Sequence, residues 1–259
     1  MDEQTTVLAP ERAWAALMAH RSAYYAPYSA VYCGAEKALR KTAKPKSFWR
    51  RASKQKIHVP IAADIATTGS DLLFGEHPKI ICVDDMKEQP NGEGQKRLEE
   101  ILRINAMSAL LNEAAESAAA LGDVYLKIAW DVLRLSCPMI RVVQGDDAWP
   151  EYRLGTLRAI HFFTIIEEER SASGNVQSVI RAYELYEPRR ISTRLYRGTL
   201  DSLGTQMSDD EVQKLGIEPE VSTGTDEILA VHVPNIKPNR MFRGSYMGRS
   251  DYDNLRDLM

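Results

Sequence analysis

The stretch that decides the fold of this chain is IHVPIAADIATTGSDLLFGEHPKII, residues 57–81. Ile61, Ile65, Leu72 and Leu73 recur at roughly helical intervals, which predicts a helix that buries its large apolar side chains. Small residues lie between them, so we expect another element to pack closely against this helix. Gly75 is predicted to end the helix in the left-handed conformation. A short strand is expected over residues 79–83. The stretch contains no set of residues typical of a catalytic or metal site.

The composition is that of an ordinary globular protein. The chain has 259 residues, of which 44% are apolar and 27% charged, and its mean hydropathy is −0.34. This excludes global disorder and a membrane protein, and the length suits one large domain or two small ones. A net charge of −3 excludes binding to nucleic acid through overall charge. The N-terminus lacks a secretory signal, and no apolar run reaches the roughly 18 residues of a membrane span, so a cytosolic chain is expected.

The cysteines indicate free thiols. Cys33, Cys82 and Cys137 are odd in number and far apart, and none belongs to a C-x-x-C pair. Disulfide and zinc-cluster interpretations are therefore weak, and a reducing compartment is favoured.

Aromatic residues dominate the N-terminal region, where two helices are predicted on either side of Pro27. Tyr24, Tyr25, Tyr28 and Tyr32 form a cluster that has two interpretations. It is either a platform on which nucleic-acid bases stack, or part of a core or subunit interface in which each hydroxyl finds a partner. The second interpretation is favoured.

Every charged residue between Lys37 and Lys56 is positive, and Phe48 and Trp49 lie within this run. Basic residues interleaved with aromatics are typical of nucleic-acid binding, but charge runs are more often solvated faces or contacts to an acidic neighbour. We favour the second alternative. The candidate basic interaction patch consists of Lys44, Lys46, Arg50, Arg51, Lys54 and Lys56.

The remaining chain predicts an α+β fold, with a helical N-terminal part followed by an antiparallel β meander. A helix over 98–121, broken near Asn105 and ended by Gly122, precedes a strand over 124–130. Turn residues occupy 146–155, and a polar insertion over 198–227 contains one short helix that begins with a capping box at Ser208 and Glu211. Further strands are expected over 139–143, 157–168, 176–186, 191–196 and 228–233. We expect three regions: a helical and basic segment (1–56), an α+β body (57–247), and the start of a truncated helix (248–259).

The sequence contains no catalytic, cofactor-binding or metal-binding motif. His161 and His232 are isolated in predicted strands, where an ordinary, hydrogen-bonded histidine is expected. One alternative function is that of a hydrolase whose metal is held by carboxylates, although the ligand spacing of a calcium loop is missing. Its candidate ligands are Asp84, Asp85, Asp146 and Asp147.

Four stretches resemble the SPP1-like group of tailed-bacteriophage portal proteins, the subunits of head–tail connectors. Their order and spacing, rather than any single motif, carry the resemblance, which covers most of the region from Ile57 to Met259. The stretches are IHVPIAADIATTGSDLLFGEHPKI (57–80), LLNEAAESAAALGDVYLKIAWD (110–131), WPEYRLGTLRAIHFF (149–163), and VHVPNIKPNR (231–240) followed by GSYMGRSDYDNLRDLM (244–259).

The resemblance implies a structural subunit, not an enzyme, in a dodecameric ring at one capsid vertex, through which double-stranded DNA is packaged and ejected. It implies contacts with the major capsid protein, the terminase motor and a head-completion or adaptor protein. The location would be the virion, and the host cytoplasm during assembly, with no membrane and no cofactor. The α+β body would correspond to the wing, with stem, clip and crown beyond it. A minor head or scaffold-binding protein is a further alternative.

Overall fold

The computed structural model describes residues 7–33, 60–83, 92–129, 136–172 and 174–254, and it confirms the α+β class. Six α-helices lie in this part of the chain, and a π-helical turn, Arg21–Tyr25, separates the first two. The helices are α1 (Pro10–His20), α2 (Ala26–Tyr32), α3 (Ile61–Phe74), α4 (Gly92–Ile104), α5 (Met107–Leu121) and α6 (Asp209–Lys214). None of these helices is both long enough and apolar enough to cross a membrane.

The strands form two sheets within the described residues. The larger sheet has the order β3-β4-β5-β6-β7, with β8 paired to β6, and the smaller has the order β2-β1-β9. The strands are β1 (Asp123–Ala129), β2 (Met139–Gln144), β3 (Ala148–Arg153), β4 (Thr156–Arg170), β5 (Val176–Glu187), β6 (Arg190–Gly198), β7 (Thr205–Gln206), β8 (Glu220–Ser222) and β9 (Ala230–Pro234).

The antiparallel meander is confirmed, because sequential strands from β3 to β7 pair with their neighbours. Its predicted extent was wrong at the start. The strand expected over 139–143 exists as β2, but it belongs to the smaller sheet with β1 and with β9, the last strand, which was expected over 228–233. Hydrophobic periodicity indicates that a segment is a strand without indicating its partner, which depends on contacts distant in sequence.

The interpretation of residues 146–155 as turn residues was wrong for most of the segment. Only Gly145–Asp147 forms a 3₁₀ turn, and Ala148–Arg153 is a strand that includes Pro150. Proline cannot donate to a ladder of hydrogen bonds, so it is tolerated chiefly on edge strands. β3 lies at the end of the sheet order, where the missing N–H of Pro150 is tolerated.

Helix α3 confirms the expected close packing but reverses the expected burial. Ala62, Ala66 and Ser70 are its buried residues, and they recur every fourth residue on the side that packs against α5. Leu72 and Leu73, predicted to be buried, are 83% and 69% exposed. Small side chains therefore form the contact, since they let the two helix backbones approach, and the leucines face solvent.

Helix α3 ends at Phe74 with Gly75 as its C-cap, as predicted, but the left-handed conformation of Gly75 and the strand after it were predicted wrongly. Gly75 has a right-handed φ of −60°, and its N–H donates to the Asp71 carbonyl oxygen at 2.7 Å. Residues 79–82 form no strand. The N–H of Cys82 instead donates to the Gln95 side chain at 2.8 Å, so a side chain supplies the acceptor that a neighbouring strand would have provided.

Local signals elsewhere are confirmed. Helix α4 ends at Ile104 and α5 begins at Met107, and Asn105 in the break donates to the Pro138 carbonyl before β2 at 3.0 Å. The capping box is formed, since Ser208 N donates to the Glu211 carboxylate at 3.1 Å before α6. The polar insertion holds more than the one helix expected, because it also contains β7 and β8.

The chain divides into two compact units. The first contains Met1–Ser22, Tyr125–Lys127 and Val143–His232, and the second contains Ala23–Val124, Ile128–Val142 and Val233–Met259. The first unit is centred on the larger sheet, whose core includes Tyr125, Ala148, Ile160, Phe162 and Tyr186. The second holds helices α2 to α5 and the segment after β9.

Candidate functional site

The second unit contains a buried hydrogen-bonded cluster, which we call the hub, formed by Tyr24, Tyr25, Asp123, Gly248 and Ser250. Asp123 follows the end of α5 and has no exposed surface. One of its carboxylate oxygens accepts the Tyr25 hydroxyl at 2.7 Å, and the other accepts the Gly248 N–H at 2.8 Å. Because each bond goes to an ionised acceptor, each is stronger than a neutral hydrogen bond.

Ser250 connects the π-helical turn Arg21–Tyr25 to α5. Its N–H donates to the Tyr24 hydroxyl at 2.9 Å, and its Oγ donates to the Ala119 carbonyl at 2.9 Å. Burial raises the pKa of Tyr24, against the lowering effect of the Ser250 N–H. The phenol therefore stays neutral throughout the physiological range.

The backbones of Gly122 and Gly248 approach closely in the hub. Gly122 has a φ of +95°, and a Cβ there would lie 2.8 Å from Arg249. A Cβ on Gly248 would lie 2.1 Å from the Gly122 carbonyl oxygen and 2.6 Å from the Asn235 nitrogen. That oxygen accepts the Asn235 N–H at 2.8 Å, so glycine is required for the segments to meet.

Asparagine side chains complete the polar contacts around these glycines. Asn235 donates to the Asp251 carboxylate at 2.7 Å, and Asn239 donates to the Gly248 carbonyl at 2.5 Å. Buried polar groups that are paired in this way stabilise a defined arrangement, whereas an unpaired one is destabilising. The hub and the asparagines around it therefore form a structural joint between four segments distant in sequence, residues 24–25, 119–123, 234–239 and 247–251.

The tyrosine cluster is part of the core, as favoured from the sequence. Tyr24, Tyr25 and Tyr28 are at most 1% exposed, so the alternative of a base-stacking platform is wrong for these three residues. The Tyr28 hydroxyl donates to Asp253, and the Tyr32 hydroxyl donates to Glu116 on α5. Tyr24, Tyr25 and Tyr28 bury their rings and keep a hydrogen-bond partner, which is the behaviour expected of buried tyrosine, and Tyr32 is half-buried.

The four carboxylates of the hydrolase alternative do not assemble a site among the described residues. Asp84 and Asp85 lie outside them. Asp146 lies 3.7 Å from the Arg21 guanidinium, and no group of three or more potential ligands occurs in the described part of the chain. The pKa of Asp147 is raised to about 6, first by desolvation and then by Asp146. Because Asp147 is an exposed residue, solvent screens these effects, and we expect a smaller shift in solution.

Both strand histidines behave as predicted. His232 is 6% exposed, stacks on Tyr125 and lies 2.9 Å from the Tyr152 hydroxyl through Nδ1. His161 has no exposed surface; its Nδ1 lies 3.0 Å from the Tyr183 hydroxyl and its Nε2 lies 3.5 Å from Glu151. These are ordinary buried histidines with partners.

Glu151 anchors the segment that precedes α1. Its carboxylate accepts the Leu8 N–H at 3.0 Å and lies 3.4 Å from the Arg158 guanidinium. Burial alone would raise the pKa of Glu151, but the hydrogen bonds from His161 and Leu8 and the charge of Arg158 outweigh it. The net effect lowers the pKa below its ordinary value of 4.5.

We expect Glu151→Gln to lower the free energy of unfolding at pH 7 by about 1–3 kcal/mol, because charge-assisted hydrogen bonds are weakened. The folded-state pKa of Glu151 is depressed, so its stabilisation is present above pH 4.5 and is lost as the pH falls through the folded value. The difference in free energy of unfolding between wild type and variant should therefore become smaller below pH 4.5 in urea unfolding experiments. Glu227→Gln, on an exposed loop, is the control. A difference in free energy of unfolding that stays constant with pH would contradict stabilisation by the ionised Glu151 carboxylate.

The predicted basic patch, from Lys44 to Lys56, lies outside the described residues and remains a prediction. Sequence reasoning missed two features that the structure shows. Asp123 was not recognised as the centre of a hydrogen-bonded cluster, although it immediately follows the helix-ending Gly122. Lys127 was placed on a strand without a role, yet it is 8% exposed, pairs with Glu184 and lies 4.9 Å from the centre of the Phe162 ring.

The comparisons with known proteins add no relative. Neither a scan against protein-family models nor a search of curated proteins finds a match to this chain.

Proposed function

We propose that this chain is a structural subunit of a portal, the ring-shaped head–tail connector of a tailed bacteriophage, and that it contributes the wing region. The observation that supports the proposal most is the hub. Three segments of the resembling stretches meet there: Leu121–Asp123, the Pro234-Asn235 pair and Gly248–Asp251. The order and spacing of these segments in the sequence therefore fit one structural requirement, that the three segments meet in the hub.

The chemistry of the hub suits a mechanical role. It consists of two phenols, a glycine, a serine and the carboxylate of Asp123, which accepts from two donors. These groups stabilise a fixed arrangement of backbone segments. In the proposed ring, this rigidity would keep the subunit's shape while DNA moves, and ATP would be hydrolysed by a separate terminase motor. The mild net negative charge of −3 suits DNA that slides past, because each phosphate contact would add salt-dependent affinity.

The proposed partners follow from the same assignment. Neighbouring copies would contact one another through two different faces, since a closed ring of identical subunits has heterologous interfaces. Other partners would be the major capsid protein, the terminase motor, an adaptor protein and the double-stranded DNA in the channel. The predicted basic patch would contact an acidic surface of a neighbour or of the capsid.

The test is native mass spectrometry, combined with negative-stain images, of the complete gene product over a wide concentration range. We expect closed rings, with a dodecamer as the main species. A complete gene product that remains monomeric at all concentrations would overturn the proposal. Association with capsid or scaffold proteins without a ring would instead favour a minor head or scaffold-binding protein.

A further inference from the structure

The second unit has an open apolar pocket of about 370 Å³ beside helices α4 and α5, which we call the α4–α5 pocket. Its apolar walls come from Pro78 and Ile80 in the segment after α3, from Leu102 of α4, and from Met107 and Leu111 of α5. No residue of α4 is fully buried, so the apolar side of this helix is incompletely covered. A pocket of this volume lies in the range that binds small molecules or a few side chains.

The charged groups in the walls of the pocket are of one sign. Its ionisable side chains are Arg103 and His77, and no carboxylate lines it among the described residues. Arg103 is exposed and makes no ion pair with any residue that the structure describes. Glu99 and Glu100, which precede it on α4, lie outside the walls and are bonded to other residues of that helix. The Arg103 guanidinium is therefore available to an anionic group.

The beginning of α5 adds partial positive charge to the same walls. The first backbone hydrogen bond of this 15-residue helix runs from the Leu110 N–H to the Ala106 carbonyl at 3.1 Å, and no side chain caps the helix. The N–H groups of Met107, Ser108 and Ala109 therefore have no acceptor within the helix, and all three residues line the pocket. Such N–H groups favour a negatively charged group beside them.

We propose that the α4–α5 pocket is a docking site for a partner protein, whose docked segment carries a carboxylate beside one or two large apolar side chains. The apolar side chains fill the pocket, and the removal of both apolar surfaces from water favours binding. The carboxylate faces the Arg103 guanidinium and the N–H groups that begin α5, whereas a basic side chain at the same position would be repelled.

The apolar surface extends beyond the pocket, which favours a protein segment over a free small molecule. Ile80 in the wall is 37% exposed, and Ile81 next to it is 47% exposed. A free amphiphile held within the 370 Å³ of the pocket would leave Ile81 in water, whereas a protein segment covers the pocket and its surroundings. This inference concerns a contact of a single subunit and does not depend on the proposed ring.

The test is fluorescence anisotropy of the complete gene product with two labelled, amidated peptides of equal length. The acidic probe is fluorescein-Gly-Leu-Leu-Glu-Leu-Leu-Glu-Gly, and in the control probe lysine replaces both glutamates. We expect saturable binding of the acidic probe. The lysine probe should bind about tenfold more weakly, which corresponds to 1.4 kcal/mol.

Variants of the pocket walls test the assignment of each group. Arg103→Glu should weaken binding of the acidic probe by about tenfold and remove its advantage over the lysine probe. Ala109→Phe, at an exposed wall position, should fill part of the pocket and weaken binding of both probes. Arg153→Glu, which alters an exposed arginine at the end of β3, is the matched control and should change neither affinity. Thermal unfolding checks that each variant is folded.

Three outcomes would overturn the proposal. The first is equal binding of the two probes to the wild type, or binding of the acidic probe that is unchanged in both Arg103→Glu and Ala109→Phe. The second is the absence of saturable binding of either probe up to about 1 mM. The third is binding of decanoate, measured by isothermal titration calorimetry, without binding of the acidic probe, which would assign the pocket to a free amphiphile instead of a partner protein.

Discussion

Asp123→Ala is expected to lower the free energy of unfolding by about 3–5 kcal/mol, because it leaves two buried donors without the carboxylate that accepts from both of them. Asp123 has no exposed surface, and it accepts the Tyr25 hydroxyl and the Gly248 N–H at 2.7 and 2.8 Å. Each donor left without an acceptor in a buried site contributes roughly 1–3 kcal/mol of destabilisation. The measurement is urea unfolding followed by circular dichroism.

Asp123→Asn is the matched control, since it keeps the shape of the side chain and one carbonyl oxygen for the Gly248 N–H. The Tyr25 hydroxyl can then accept from the new amide group, so both contacts survive without the charge. We expect the asparagine variant to lose about half as much free energy of unfolding as the alanine variant. Hydrogen exchange should localise the loss of protection to residues 119–123 and 247–251. Equal losses in both variants would contradict this prediction, because the retained shape and neutral contacts of asparagine would then give no stabilisation and the carboxylate charge would supply all of it.

Local signals predicted the elements of this fold better than their contacts. Gly122 was expected to end a helix and adopts a left-handed φ of +95°, and the capping box before α6 is present, because both depend on residues only a few positions apart. The pairing of β2 and β9 with β1 could not be obtained in this way. Periodicity reports which side of a strand is apolar and contains no information about which strand lies next to it.

The wrong prediction for Leu72 and the missed role of Lys127 also arise from contacts distant in sequence. Residue type alone placed Leu72 inside and left Lys127 without a role, yet Leu72 is 83% exposed and Lys127 is 8% exposed. Close helix packing through Ala62 and Ala66 leaves no room for a leucine between α3 and α5, and an acidic partner, Glu184, allows a lysine to be buried. Both outcomes depend on neighbours supplied by other segments.

The hub was the least predictable part of the candidate site. Its sequence signal was the pair Gly122-Asp123, together with the glycine and asparagine residues of the 234–251 segment. Glycine and asparagine are also frequent in ordinary loops, so their presence there did not indicate a buried joint. Recognition of the joint required the hydrogen bonds that Asp123 and Asn239 make across the chain.

Gly248→Ala should be among the most damaging single substitutions in the chain, with a loss of more than about 3 kcal/mol in the free energy of unfolding. An added Cβ would lie 2.1 Å from the Gly122 carbonyl oxygen and 2.6 Å from the Asn235 nitrogen. Both are backbone atoms held by hydrogen bonds within the hub, so they cannot move aside as the end of a flexible side chain could. The segments would have to separate, and Asp123 would lose its contact with the Gly248 N–H.

Gly244→Ala is the control that distinguishes steric crowding at Gly248 from the strain of a left-handed backbone. Gly244 lies four residues earlier with a φ of +77°, and nothing lies within 4 Å of its added Cβ. Its substitution should therefore cost about 1 kcal/mol, the strain of a left-handed alanine. Urea unfolding of the two variants tests the difference, and hydrogen exchange should show loss of protection around Asn235 only for Gly248→Ala. A loss for Gly248→Ala that is no larger than the loss for Gly244→Ala would contradict the prediction that close approach of backbones at Gly248 requires glycine.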